Sequence, residues 1–503
     1  MTELVRVERG RYHDSVTLLR ASAEARAVDG VATAIVAMGT ELNLGLLAEA
    51  GFGIDGAATP DDLVIAVRTD GGDGSDVVVQ AAVDAVERLL TERRTGSSTD
   101  GSGWAPVPPH TVEAAIALAP EAGIVVVSVP GPNAYVEAAA AVRSGRHVMV
   151  FSDGVDIDAE VALKQEAARA GVLVMGPDCG TTIVGGVGLG FANRVVPGPV
   201  GIVAASGTGA QQLCGLLDGA RIGVRHVLGV GGRDLSAPVG GASTLAALAA
   251  LDDDPAVEVI AIVSKPPDVA VAEQVERAAS GCRTPVVLGL VGPGGATLTA
   301  VAAEVASVLG VAFGPPETWA PLSGSAATRR DGPLLGLFSG GTNCVEALAA
   351  LEPLVGAVRS NVHHDPSRRI GPYDHPAGTH VLLDLGDDEL TAGHPHPMID
   401  PGTVADRIAW AAADPDGPGV LLLDVVLGLG AHPDPAAMLA PALAAASQAG
   451  VATVVTLVGT SGDPQSLQHQ AQTLAGAGAQ VHRSNARAAG QAAVLVTSVG
   501  SRR

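Results

Sequence analysis

Two stretches of the chain repeat one another, and this duplication constrains the architecture more than any other feature. The first copy runs 201-GIVAASGTGAQQLCGLL, 227-VLGVGGRDLS, 258-EVIAIVSKPP and 284-TPVVLGLVG. The second runs 335-LGLFSGGTNCVEALAAL, 381-VLLDLGDDEL, 419-GVLLLDVVLGLG and 453-TVVTLVG, with its elements in the same order. Short Val/Ile/Leu runs separated by helix-length segments read as parallel strands covered on both faces. Two sister flavodoxin-like α/β domains follow, at 198–326 and 333–503, divided near 323-SGSAATRRDGP. The spacing departs once: Ser206 to Gly231 is 25 residues and Ser339 to Gly386 is 47, so the second copy carries an insertion that includes 361-NVHHDP.

Upstream, 124-IVVVSVPG, 147-HVMVF and 172-VLVMG alternate with helical segments, a doubly wound, Rossmann-like pattern assigned to residues 110–197. Residues 95–109, rich in Gly, Ser and Pro, read as a connector. Residues 1–94 form a small α/β unit, with strands at 31-VATAIVAMG and 63-LVIAVRT and helices over 15–27 and 77–92. The whole is a multi-domain α/β chain of 503 residues.

Charge and composition limit the partners. Lys+Arg number 30 against Asp+Glu 53, a net charge of −23 that opposes nucleic acid and anionic membrane surfaces. Aromatic residues are 2% of the chain, too few for a base-stacking platform. The longest uncharged stretch, Pro435 to Gly462, is broken by Pro441, Ser447, Gln448 and Gly450, so no membrane span is expected. The opening MTELVRVERGRYHDS has no apolar signal core, and a cytoplasmic location is expected. Cys179, Cys214, Cys282 and Cys344 show no metal or disulfide spacing and read as free thiols.

Both copies place a small-residue run between a strand and a helix: Ser206-Gly207-Thr208-Gly209 and Ser339-Gly340-Gly341-Thr342. Free N–H groups and the helix dipole then face the carboxyl edge of the sheet, where such folds bind ligands. Gly428-Leu429-Gly430-Ala431 is a third such turn. An anion is expected at these turns, with tight turning as the structural alternative. Lys265 closes the strand 258-EVIAIVSK and is either an anion ligand or a solvated strand-end lysine. Arg233, in 231-GGRD, either contacts substrate or pairs with Asp234. The turn 176-GPDCG brings Asp178 and Cys179 to the same sheet edge. Six of 13 histidines fall between 363 and 396, and His394 and His396 share a face in an extended segment. Acid–base work, an anion site and a solvated loop all remain open for them, and no third metal ligand is specified. No metal is assigned.

These residues resemble the succinyl-CoA synthetase superfamily, and more closely its FdrA branch, through 12-YHDSVTLLR, 38-MGTELN, 174-VMGPDCGT, 205-ASGTG, 228-LGVGGRDLS, 263-VSKPP, 384-DLGDDELTAGHPHPMIDP and 421-LLLDVVLGLGA. The resemblance implies a truncated CoA-binding-type domain at 110–197 and two ligase-type domains, which the synthetases usually carry on separate subunits. There, two helix N-termini cradle a phosphohistidine; the matching turns here are Ser206–Gly209 and Gly428–Ala431. Where the family has a Gly-His-Ala-Gly loop, this chain reads 292-GPGGATLTA, and Lys265 replaces an acidic residue. The FdrA resemblance implies carbamoyl transfer between oxalurate and phosphate in purine-ureide (allantoin) catabolism. In that reading the two turns and Lys265 hold phosphate, Arg233 binds the substrate carboxylate, and His394 or His396 moves protons; Asp178, Cys179 and Ser339–Thr342 complete the substrate pocket. No cofactor is required, and CoA is possible. The alternatives are a CoA-dependent acid–thiol ligase subunit, phosphorylated by a partner chain, and a non-catalytic scaffold. Small-molecule substrates and partner subunits, in a homo- or hetero-oligomer, are expected.

Overall fold

The computed structural model describes residues 2–13, 15–53, 58–69, 71, 75–92, 109–322, 330–371, 374, 376–391 and 395–500. All but Pro109 of the 95–109 connector, and His394, lie outside them. Two compact units emerge, residues 1–109 and residues 110–391 with 396–503.

In the first unit Leu63–Thr69 is the central strand, antiparallel to Glu3–Glu8 and Val31–Met38. Its alternation decides which helix covers which face. Leu63, Ile65 and Val67 point to the helices Ser15–Arg26 and Ser75–Glu92, whose Leu18, Ala21, Val83 and Val86 complete that core. Val64 and Ala66 point the other way, onto Leu47 of the helix Glu41–Glu49 and onto Phe52. The strand Glu3–Glu8 and the helix Glu41–Glu49 are additions to the elements expected from sequence.

The described residues of the larger unit form three sheets. The first is parallel, Ile124–Val127, His147–Val150 and Val174–Met175 in that order. The second orders its strands Val286–Leu290, Val259–Ser264, Val200–Ala204, Val224–Gly229, Thr181–Val184, Val187–Gly190. The third runs Thr318–Trp319, Ala479–His482, Ala452–Val458, Val420–Val426, Leu334–Phe338, His380–Asp384, Val358–Ser360.

Within the second and third sheets, four parallel strands occur in the same spatial order, matching the sequence repeat element for element. The central strands Val200–Ala204 and Leu334–Phe338 are buried along their whole length, as strands covered by helices on both faces must be. The insertion in the second copy adds the edge strand Val358–Ser360 and the short helix Pro366–Arg368.

Two connections cross the boundaries read from sequence. The hairpin Thr181–Val184/Val187–Gly190, placed in the 110–197 domain, pairs through Ile183 with Val227 of the next sheet. Thr318–Trp319, placed in the 198–326 domain, pairs with Val481 and His482 of the last sheet. Each strand completes the edge of a neighbouring sheet, a long-range pairing that no local pattern encodes. No helix among the described residues is long and apolar enough to cross a membrane.

Candidate functional site

Ser206 caps the helix Gly207–Gly219, its hydroxyl accepting a hydrogen bond from Gly209 N–H at 3.0 Å. The helix Gly341–Val355 starts after Gly340, which has no side chain to cap it. These two helix starts meet. Ser206 Oγ and Thr342 Oγ1 share a 2.5 Å hydrogen bond. A Cβ on Gly340 would lie 2.3 Å from Thr208 Oγ1 and Cγ2, so only glycine permits this approach. The resemblance pairs Ser206–Gly209 with Gly428–Ala431; the structure brings Ser206–Gly209 against Ser339–Thr342, and Gln211 of the same helix donates to Leu427 O at 3.3 Å, beside the Gly428 turn. Gly340→Ala is therefore expected to cost about 1–3 kcal/mol through overpacking. A second change, Thr208→Gly, should recover part of that loss in urea denaturation; strictly additive effects would show that the contact is not shared.

The second turn sits between two buried carboxylates. Asp384 ends the strand His380–Asp384 and Asp424 lies in Val420–Val426, the two neighbours of Leu334–Phe338. Asp424 accepts from Ser339 N–H at 2.6 Å and from Asn343 Nδ2 at 2.9 Å, and burial pushes its carboxyl up to about 6. Asp384 accepts from Gly386 N–H at 3.0 Å, and burial pushes it up to about 7 against the opposing pull of Lys265. Lys265 is exposed at the end of its strand and reaches in from the first sister domain. A Cβ on Gly341 would lie 2.7 Å from Asp384 Oδ2 and 3.4 Å from Lys265 Nζ, which puts ammonium and carboxyl on one helix start.

The aromatic side of this region comes from the crossing hairpin. Thr181 Oγ1 donates to Phe191 O at 2.7 Å and would lie 3.0 Å from a Cβ on Gly207. The Phe191 ring stacks on His396, with centroids 6.0 Å apart. His396 Nε2 would lie 2.7 Å from a Cβ on Gly386, and its Nδ1 accepts from Met398 N–H. Burial lowers its pKa to about 4, so the ring is neutral at pH 7 and can accept a proton only with difficulty.

Three expectations need correction. The Gly428–Ala431 turn does not present its first two amides to a ligand: Gly428 N–H donates to Gln465 Oε1 and Leu429 N–H to Ala192 O. Gly428 has φ 130°, and a Cβ there would lie 2.8 Å from Ala192 O, so the glycine serves this docking. The following helix, Pro435–Gln448, is capped by the Asp434 carboxylate, which already occupies its positive end.

Arg233 is committed elsewhere. Its guanidinium is 2.9 Å from Glu160 Oε2 and donates to Val155 O, while Asp234 pairs with Lys164 at 2.7 Å. It thus does not pair with Asp234. Cys179 is buried, its thiol 3.2 Å from Thr182 Oγ1, and burial pushes it up to about 11. It packs in the core of the first sister domain beside Met175 and Leu228. Asp178 is exposed at φ 56° in the same turn.

Sequence reasoning passed over Asp384 and Asp424 as site residues, and Phe191 and Asn343 altogether. A signal existed for the carboxylates: 381-VLLD and 420-VLLLDVV each set an aspartate in a continuously apolar strand, where a charge is costly without a purpose.

Comparison with known proteins agrees with this organisation. Residues 1–105 match the family model of the AllF heavy metal-associated domain, and residues 337–495 match that of CoA-ligase. The matched N-terminal segment has no cysteine and one histidine, His13, and the described residues hold no group of three metal-ligating side chains. A heavy-metal site does not fit it. Among solved structures, ATP citrate lyase from Methanothrix soehngenii in complex with citrate and coenzyme A is 19% identical at TM-score 0.32, covering 36% of this chain and 31% of its own. The dinucleotide-forming acetyl-coenzyme A synthetase 1 of Ca. Korarchaeum cryptofilum, in complex with phosphate and ADP, is 17% identical at TM-score 0.29 over 86% of this chain and 94% of its own. YahF of Escherichia coli (strain K12) is 36% identical over 504 residues, 95% of each protein. The chain, whose residues 337–495 match the CoA-ligase model, belongs to the family of YahF.

Proposed function

We propose that the chain is a CoA-ligase-type enzyme, an acid–thiol ligase component that exchanges an acyl group between phosphate and CoA. The observation that carries this reading is that the CoA-ligase match, 337–495, spans Ser339–Thr342, Asp384, Asp424 and His396, the residues gathered around the paired helix starts. CoA is a substrate in this reaction: its sulfur attacks the acyl carbonyl, the C–O bond to phosphate breaks, and phosphate leaves with the electron pair. Lys265 offsets charge on the departing phosphate. Asp384, titrating near neutrality, takes the thiol proton. A partner chain supplies the phosphoryl group that activates the acid, and assembly with such a subunit belongs to this proposal.

Carbamoyl transfer of the FdrA type is the second reading. It is favoured by Lys265 beside Gly341 and by the lack of a histidine in 292-GPGGATLTA. Phosphate would attack the ureido carbonyl of oxalurate, the C–N bond would break, and oxamate would leave with a proton delivered by Asp384.

Both readings are tested on purified protein, alone and with candidate partner subunits. Acyl phosphates plus CoA should give acyl-CoA, and Lys265→Met should lower the rate about 100-fold, the scale of one lost electrostatic contact in a transition state. Carbamoyl phosphate formed from oxalurate and phosphate without CoA would replace the first reading by the second. No turnover with either substrate set would remove both, and full activity in Lys265→Met would remove the lysine from the mechanism.

A further inference from the structure

The insertion that distinguishes the second sister domain builds a cleft of about 600 Å³, lined by Arg359, Arg369, Ile370, Gly371, Asp374 and Pro376. This volume is in the range of small-molecule sites. Its backbone is fixed from two sides. Arg359 lies in the edge strand Val358–Ser360, paired with Val381, and Ser360 bridges to Arg369 across the loop.

Both arginines keep free donors among the described residues. Arg369 uses Nε to donate to His363 O at 2.7 Å, leaving its two terminal nitrogens, and the Arg359 side chain makes no hydrogen bond or ion pair among the described residues. The neighbouring Arg368, by contrast, is paired with Glu352. Among the described residues Asp374 is the one carboxylate lining the cleft, and its Oδ2 is held by Gly371 N–H. Two arginines and one engaged carboxylate among the lining residues leave a local positive excess in a chain of net charge −23. Arginine forks match carboxylate and phosphate oxygens in bidentate geometry, and Ile370 and Pro376 add an apolar wall for a carbon skeleton.

We propose that this cleft is a binding site for a small organic dianion, a molecule with carboxylate or phosphate groups held by Arg359 and Arg369, separate from the site around Lys265. The inference stands independently of the proposed reaction.

Calorimetry of the full chain with pyrophosphate and with succinate tests it, the two probes separating phosphate from carboxylate recognition. One of them should bind one-to-one, about tenfold more weakly in Arg359→Ala and in Arg369→Ala, a loss equivalent to one charge-assisted contact. Lys265→Met should leave that affinity within about twofold, because the lysine belongs to the other site. Both arginines are exposed, so circular dichroism and thermal midpoints of the variants should match the wild type. Failure of both probes to bind, binding unchanged in both arginine variants, or binding abolished by Lys265→Met would overturn the proposal.

Discussion

Replacing Lys164 by methionine is expected to destabilise the larger unit by about 3–5 kcal/mol, the scale of breaking a buried ion pair from one side. Lys164 Nζ sits 2.8 Å from Glu160 Oε1 and 2.7 Å from Asp234 Oδ1 and donates to Val230 O, with all three charged side chains almost fully buried. Asp234 also accepts from Ser243 N–H, Thr244 N–H and Thr244 Oγ1, so it anchors the start of the helix Ala242–Asp253. Glu160 and Lys164 belong to the helix Ile157–Ala170 and Asp234 to the first sister domain, so this cluster fastens one layer to the next. Methionine fills a similar volume and leaves Asp234 without its cation and Glu160 with only the half-exposed Arg233. Arg233→Ala should cost far less, about 1 kcal/mol or below, because that side chain is 45% exposed and water replaces its contacts. Urea midpoints of the two variants measure the contrast. Equal losses would mean that burial does not set the strength of this network, and adding Glu160→Met to Lys164→Met should restore part of the stability.

The second large effect depends on pH. Asp384 goes from 3.8 to about 7 on folding because it is buried, a change that Lys265 moderates without reversing. Below about pH 4 the carboxyl is protonated in both states and adds no penalty. As pH rises toward 7 the unfolded chain releases the proton while the folded chain retains it, so stability falls. Above 7 both are ionised and the penalty is constant, about 4 kcal/mol at 1.36 kcal/mol per pKa unit. Asp424 acts in the same direction, with its loss complete near pH 6. Asp384→Asn should therefore be more stable than the wild type at pH 8 and close to it at pH 4. The difference in urea midpoint should open between those values and then level off. A difference independent of pH would show that Asp384 is not neutral in the folded protein at acid pH. The same substitution should slow the proposed acyl transfer, so that the site gives up stability for a proton acceptor that works near neutrality.

Local pattern determined much of this molecule. Val, Ile and Leu runs such as 200–204 and 420–426 could only be strands shielded on both faces, and small-residue turns at Ser206 and Ser339 could only start helices at a sheet edge. The duplication fixed the order of those strands, because the same sequence of elements buries the same faces twice. The tertiary structure alone decided which turns meet. Ser206–Gly209 docks on Ser339–Thr342 and Gly428 receives the backbone of Ala192, since close approach of two backbones depends on the placement of entire domains rather than on the glycines that permit it. It also decided the fate of charges. Arg233 is held by Glu160, 73 positions earlier in the numbering, and Lys265 faces Asp384 from a different domain, because electrostatic pairing acts through space and carries no mark in the residues next to either partner.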